Sequence, residues 1–152
     1  MFCKYIVAIG LALAAAAWAG TPGVKGEFVG GTVAGIAAKT SARIDLTDKD
    51  KLVLRCGQCG LEIPYQRVNT LEYGQNVSRR YAAAVLISPV FLLSKSRKHF
   101  VTIGYVDADG KQQVVVLRVN KGDIRSVLTG LEARTGRRVE YQDGEARKAG
   151  KG

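Results

Sequence analysis

Short stretches in which apolar and polar residues alternate recur through the middle of this 152-residue chain, and one segment near its end changes to a helical period. Ala42, Ile44 and Leu46 fall on one side of an extended segment and Arg43 and Asp45 on the other. Side chains that alternate in this way belong to a half-buried strand. Residues 51–55 alternate again, and Cys56-Gly57-Gln58-Cys59-Gly60 has the composition of a tight turn. Leu61, Ile63 and Tyr65 continue the pattern, with Pro64 among them. Proline has no amide to donate, so this strand is expected at a sheet edge or a bulge. Residues 68–73 extend or restart it. Segments 100–106 and 113–119 flank Asp107-Ala108-Asp109-Gly110, a hairpin signal. Val115, Leu117 and Val119 share a face, and Arg118 points away from it. Ile124, Val127, Leu128 and Leu131 then lie at helical spacing. Asp123 is the expected N-cap, Gly136 the left-handed stop, and Arg134 a cation in the last turn. The pattern predicts a mainly β domain with a C-terminal amphipathic helix. Residues 137–141 are expected to add a short extended piece, and the polar, small-residue segment 142–152 to be a disordered basic tail.

The N-terminus has the pattern of a signal peptide over residues 1–19. Lys4 is followed by an apolar run over 5–17, and Ala17-Trp18-Ala19 is a small-x-small cleavage pattern. A run of 13 residues is short for a bilayer span. An uncleaved anchor is the alternative. Cys3 precedes the apolar run and so cannot be an acylation site after cleavage. The expected address is the periplasm or cell envelope, or outside the cell. Residues 20–39 form a Gly/Ala-rich leader with a candidate first strand at 32–37, and carry no phosphate-binding glycine motif. Cleavage would remove one lysine and no acid, lowering the formal charge from +10 to +9. Such a charge favours anionic partners, and export disfavours nucleic acid among them. A basic surface that serves solubility alone is the plain alternative.

Segment 81–93 breaks the alternation, being apolar throughout except for Ser88-Pro89. As a helix it would span about 20 Å, against about 30 Å of bilayer hydrocarbon. Arg79 and Arg80 precede it, and Lys95, Arg97, Lys98 and His99 follow. Two readings stand: the run packs on the domain or against another copy, or it meets an anionic membrane or a protein partner through Arg79, Arg80, Tyr81, Leu86, Phe91, Leu92, Lys95, Arg97 and Lys98.

Cys56 and Cys59 form a C-x-x-C within a turn, not at a helix start where a dipole would activate a thiol. With export, a disulfide is expected. Zinc needs about four ligands, and with two cysteines and one histidine a complete site would need a dimer or carboxylates. No metal or cofactor is expected. His99 is the only histidine, it has no neighbouring nucleophile, and in a basic stretch it reads as a surface residue. The carboxylates are expected mostly at turns, caps and outward strand positions. No catalytic set emerges, so an enzyme is not expected.

Antiparallel hairpins followed by one helix resemble the pleckstrin-homology-like superfold, and within it the bacterial PH-like and GRAM-like domains. The resemblance rests on Leu61-Glu62-Ile63-Pro64-Tyr65-Gln66-Arg67-Val68 through Leu71-Glu72-Tyr73-Gly74, on Lys98-His99-Phe100-Val101-Thr102-Ile103-Gly104-Tyr105, and on Gly122-Asp123-Ile124-Arg125 through Glu132-Ala133-Arg134-Thr135-Gly136. It covers 40–141 and is shared with a group of exported bacterial proteins. It implies a partly open β-barrel or sandwich plugged by the helix, with 81–93 as an insertion. The function it implies is a non-enzymatic binding module contacting a membrane or a protein. A structural homo-oligomer subunit is the alternative, and a metal or thiol-redox protein using the C-x-x-C a third reading. The basic loop by which eukaryotic members bind phosphoinositides is not matched, since 38–41 contains only Lys39.

Overall fold

The computed structural model describes residues 23–76 and 98–151. Among these residues the strands are β1 Val24–Gly31, β2 Thr40–Asp45, β3 Lys51–Cys56, β4 Cys59–Pro64, β5 Val68–Gly74, β6 His99–Val106, β7 Gln112–Val119 and β8 Glu140–Tyr141. The helices are α1 Ile124–Thr135 and α2 Gly144–Lys151, and a 3-10 turn, Tyr65–Arg67, joins β4 to β5. All strands lie in one sheet of order β4-β3-β2-β1-β7-β6-β5-β8. The chain is mainly β with helices at its C-terminal end. The sheet is open, with β4 at one edge and β8 at the other, and is not closed into a barrel.

Strand β1 stands earlier than the expected segment 32–37. It pairs with β2 from Val24 to Phe28 and with β7 from Gly26 to Gly31, and the register shifts between Phe28 and Gly30. A bulge of this kind bends a strand and increases its twist, so one strand serves two neighbours along different lengths. The glycines here read as flexibility in the sequence, but Gly31 is a site of close approach. A Cβ at Gly31 would stand 2.5 Å from the Val114 carbonyl oxygen and 3.2 Å from the Phe28 ring.

The core lies on one face of the sheet. Phe28, Ile44, Leu54, Ile63, Leu71, Ile103 and Leu117 are buried there with Ile124, Val127, Leu128 and Leu131 of α1, the stripe that the helical spacing predicts. Pro64 ends β4, an edge strand, where its missing amide breaks no interior ladder. Gly136 takes φ 67° and donates to the Glu132 carbonyl at 2.9 Å, as expected for the stop of α1. The expected carboxylate cap at Asp123 is not made. Asp123 has helical φ and ψ, and its carbonyl accepts from the Ser126 hydroxyl at 2.7 Å.

The extended piece expected within 137–141 is present as β8, and the segment after it, expected as a disordered tail, is folded over its described residues 142–151. Residues 140–141 add β8 in parallel to β5, with Glu72 opposite Glu140 and Tyr73 opposite Tyr141. The Gln142 amide donates to the Tyr73 carbonyl at 3.1 Å, and its side chain donates to Glu72 Oε1 at 2.9 Å. Asp143 Oδ1 accepts from the Ala146 amide at 2.6 Å and so caps α2. Ala146 and Gly150 are the buried residues of this helix. Small side chains leave no apolar stripe for a periodicity reading to find, yet they allow a short helix to sit close. A helix of two turns is marginal by itself, so α2 depends on this docking.

Leu128 joins α1 to the sheet core and is 3 % exposed. Leu128→Ala is expected to cost about 2–5 kcal/mol, as large core truncations do. Denaturant unfolding measures it, and a loss under about 0.5 kcal/mol would mean that α1 is not docked.

Candidate functional site

Strands β2 and β3 pair only from Arg43 to Asp45, opposite Arg55 to Val53. Beyond Arg43 the ladder stops, and a cleft of about 520 Å³ opens between Ser41-Ala42 and Gly57. Lys25, Arg43 and Arg55 line it. They are also cross-strand partners in one row: Lys25 lies opposite Arg43 on β1 and β2, and Arg43 lies opposite Arg55 on β2 and β3. Like charges placed directly opposite disfavour a sheet, by a few tenths to about 1 kcal/mol per pair.

Asp45 offsets part of this charge. Its Oδ2 pairs with Arg55 Nη1 at 2.9 Å, and its Oδ1 accepts from the Thr47 hydroxyl at 2.6 Å and the Thr47 amide at 3.0 Å. The Thr47 hydroxyl hydrogen bond, then the amide and the Arg55 guanidinium, hold the Asp45 carboxyl below its ordinary range against the opposing effect of burial. Asp45 is 2 % exposed, so the expectation that the carboxylates face outward fails here. Glu72 is buried as well. The pattern misleads because it assigns a face without showing what covers that face.

The other wall of the cleft is the turn between β3 and β4. Cys56 and Cys59 are opposite one another on these strands, and their sulfurs stand at disulfide distance. Gly57 takes φ 59° at the first central position of the turn. Closing so short a loop removes entropy from the unfolded chain, worth about 2 kcal/mol in the chain-entropy account. Alkylation without reductant is expected to leave both cysteines unmodified. The double change Cys56→Ser, Cys59→Ser is expected to lower the unfolding free energy by about 2 kcal/mol. Two alkylated thiols in oxidised protein would contradict the bond.

His99 is not the surface residue expected. As the first residue of β6 it faces inward, is 8 % exposed, and stacks on Tyr73 with ring centroids 6.0 Å apart. Its Nδ1 is hydrogen-bonded to the Tyr73 hydroxyl at 2.5 Å. Burial, and after it the Lys121 ammonium, holds the imidazole below its usual range. The folded chain therefore favours neutral His99. Its contribution to stability is complete above the unfolded value of about 6.5 and is lost as pH falls through the lower folded value. The lowered carboxylates Asp45, Asp48 and Asp107 act only below about pH 4. Unfolding free energy is thus expected to fall from pH 7 to pH 5 in the native chain and to stay nearly flat in His99→Gln. Equal slopes would contradict this assignment.

Of the contact residues read from the sequence, Arg79, Arg80, Tyr81, Leu86, Phe91, Leu92, Lys95 and Arg97 lie outside the described residues, as does the signal-peptide segment 1–19. Lys98 is half-buried at the foot of β6. The structure instead brings together Lys25, Arg43 and Arg55, which are distant in sequence. Arg43 and Arg55 each occupy the outward position of an alternating strand, a signal present in the sequence that acquires meaning only with the register. Among the described residues no three His, Cys, Asp or Glu side chains gather as a metal site. No helix among them is long and apolar enough to cross a membrane. Comparison with protein-family models and with curated proteins gives no match, so the functional reading rests on the residues themselves.

Proposed function

We propose that this chain is a non-enzymatic, pleckstrin-homology-like module of the cell envelope that docks on an anionic lipid surface. The observation that carries the reading is the row of Lys25, Arg43 and Arg55 across three adjacent strands, beside an open cleft. Three cations held side by side repel one another, and an external anion relieves that repulsion. A row is extended, which suits a surface of many headgroups. The strand order, with the amphipathic helix α1 on the sheet, supports the superfold. The signal-peptide pattern of 1–19 supports the address. In the sequence, Arg79, Arg80, Lys95 and Arg97 around the apolar run 81–93 add to the same proposal.

Co-sedimentation with vesicles tests it. The native chain is expected to bind vesicles rich in phosphatidylglycerol, to bind phosphatidylcholine vesicles weakly, and to release as salt rises, because exposed charges are screened over about 8–10 Å. Each cation near such a surface contributes on the order of 1 kcal/mol, so Lys25→Glu with Arg43→Glu is expected to weaken binding at least tenfold, roughly, with little change in Tm. Native protein that ignores anionic vesicles, or a double variant that binds them as well as native protein, overturns the reading. The first result with retained binding to an acidic protein would transfer the row to a protein partner.

A further inference from the structure

The folded C-terminal segment builds a second basic site, separate in residues from the row on β1 to β3. After α1 stops at Gly136, Arg137 and Arg138 lie in the connection to β8, and α2 then returns past β8. Arg137, Arg138, Arg147 and Lys151 converge on a cleft of about 450 Å³, with Tyr141 and Glu132 in its lining. Four cations and one carboxylate leave the lining strongly positive. That carboxylate is engaged, since Glu132 Oε1 accepts from the Val139 amide at 2.8 Å. Among the described residues, none of the three arginines has an ion-pair partner. Lys151 Nζ sits 5.6 Å from the centroid of the Tyr141 ring, on its face.

The convergence is built by packing. Val139 is buried and anchors the connection, and β8 is fixed by its pairing with β5. The Tyr141 ring meets Tyr73 edge-on at 5.9 Å. Gly150 lets α2 approach: a Cβ there would stand 2.6 Å from Tyr141 Cε1 and 3.3 Å from Leu128 Cδ1. That close seat brings Lys151 over the Tyr141 ring. The cations are thus held together by elements whose own packing does not require charge.

We propose that this cleft binds a phosphate monoester dianion. Guanidinium forks match the oxygens of a phosphate group bidentately, and Lys151 adds a point charge. The cleft is concave and within the size range of small-ligand sites, so it fits a discrete group with a substituent. The same chemistry is offered by a soluble phosphate monoester and by a lipid with a terminal phosphate.

The test titrates the full chain, at constant ionic strength, with glycerol 3-phosphate in solution, with vesicles bearing phosphatidic acid, and with vesicles bearing only the diester phosphatidylglycerol. Saturable binding of glycerol 3-phosphate is expected, weakened about tenfold or more by Arg138→Ala with Arg147→Ala. Gly150→Leu keeps every charge and is expected to weaken it likewise, whereas Lys25→Glu with Arg43→Glu is expected to leave it unchanged. If only phosphatidic acid vesicles show the Arg138 and Arg147 dependence, the ligand is the lipid form of the same group. The proposal is overturned if the double arginine variant binds both monoester probes as native protein does, or if Gly150→Leu binds as native protein does in a chain whose α1 core still unfolds cooperatively. Because the diester vesicles report on the β1 to β3 row, failure of that site and failure of this one give different results.

Discussion

Every other part of the described structure depends on β1 pairing on both of its edges. On one side it carries β2, and through β2 the hairpin of β3 and β4; on the other it carries β7, and through β7 the strands β6, β5 and β8. Without it no strand pairing would link the two groups, which follow one another in the chain through the short turn Tyr65–Arg67. The register shift at Phe28 to Gly30 permits the double role, because it turns the strand between its two neighbours. Gly31 meets the second requirement, since the Val114 carbonyl occupies the space a side chain would need. The helix α1 can then cover a face to which both groups of strands contribute, Ile44 and Leu54 from one and Ile103 and Leu117 from the other.

Much of this could be read from the alternation. The strands β2, β3, β4, β6 and β7, the edge position of Pro64, the hairpin turns and the buried stripe of α1 all follow from local patterns. What was not legible has a common physical cause. Local patterns report what a segment does alone, and β1 and α2 take their form from neighbours far away in sequence. The glycines of β1 and the small residues of α2 carry no periodic signal because their contribution is to leave room. Residues Val114 to Leu117 are buried in succession, so in the middle of β7 the alternation disappears. His99 reads as a surface residue because its sequence neighbours are basic, whereas its spatial neighbour is the Tyr73 ring. The cation row was hidden for a related reason. Each member looks like an ordinary outward residue until the register sets the three side by side.

Charge is distributed in this chain in a way that burial alone does not account for. Elsewhere on the sheet cations meet acids across strands: Lys51 pairs with Glu62 at 2.7 Å, and Arg118 pairs with Glu27. These pairs show that the sheet uses the cross-strand rule where it is available. At Lys25, Arg43 and Arg55 cations instead stand opposite cations, and Asp45 pairs with Arg55 at 2.9 Å. In the C-terminal cleft the rule is not followed either, and the acid nearby serves the backbone of Val139. The basicity of the chain is therefore local as well as global. An even spread of cations would have sufficed for solubility.

The two basic sites differ in shape and in what holds them. The row lies on paired strands, with one wall tied by the Cys56–Cys59 link, so its spacing is fixed by the ladder and cannot close around a ligand. It can meet many headgroups at once but has little means of telling one from another. The C-terminal cleft is concave and is formed by a connection and a two-turn helix seated on small residues. Its cations come from two elements, the connection and α2, and line one cleft, an arrangement suited to a single group. An extended row gives attraction and orientation at an anionic surface, and a concave cluster gives selectivity. On the two proposals made above, the sheet row would draw the module to a charged surface and the C-terminal cleft would select one anionic group there.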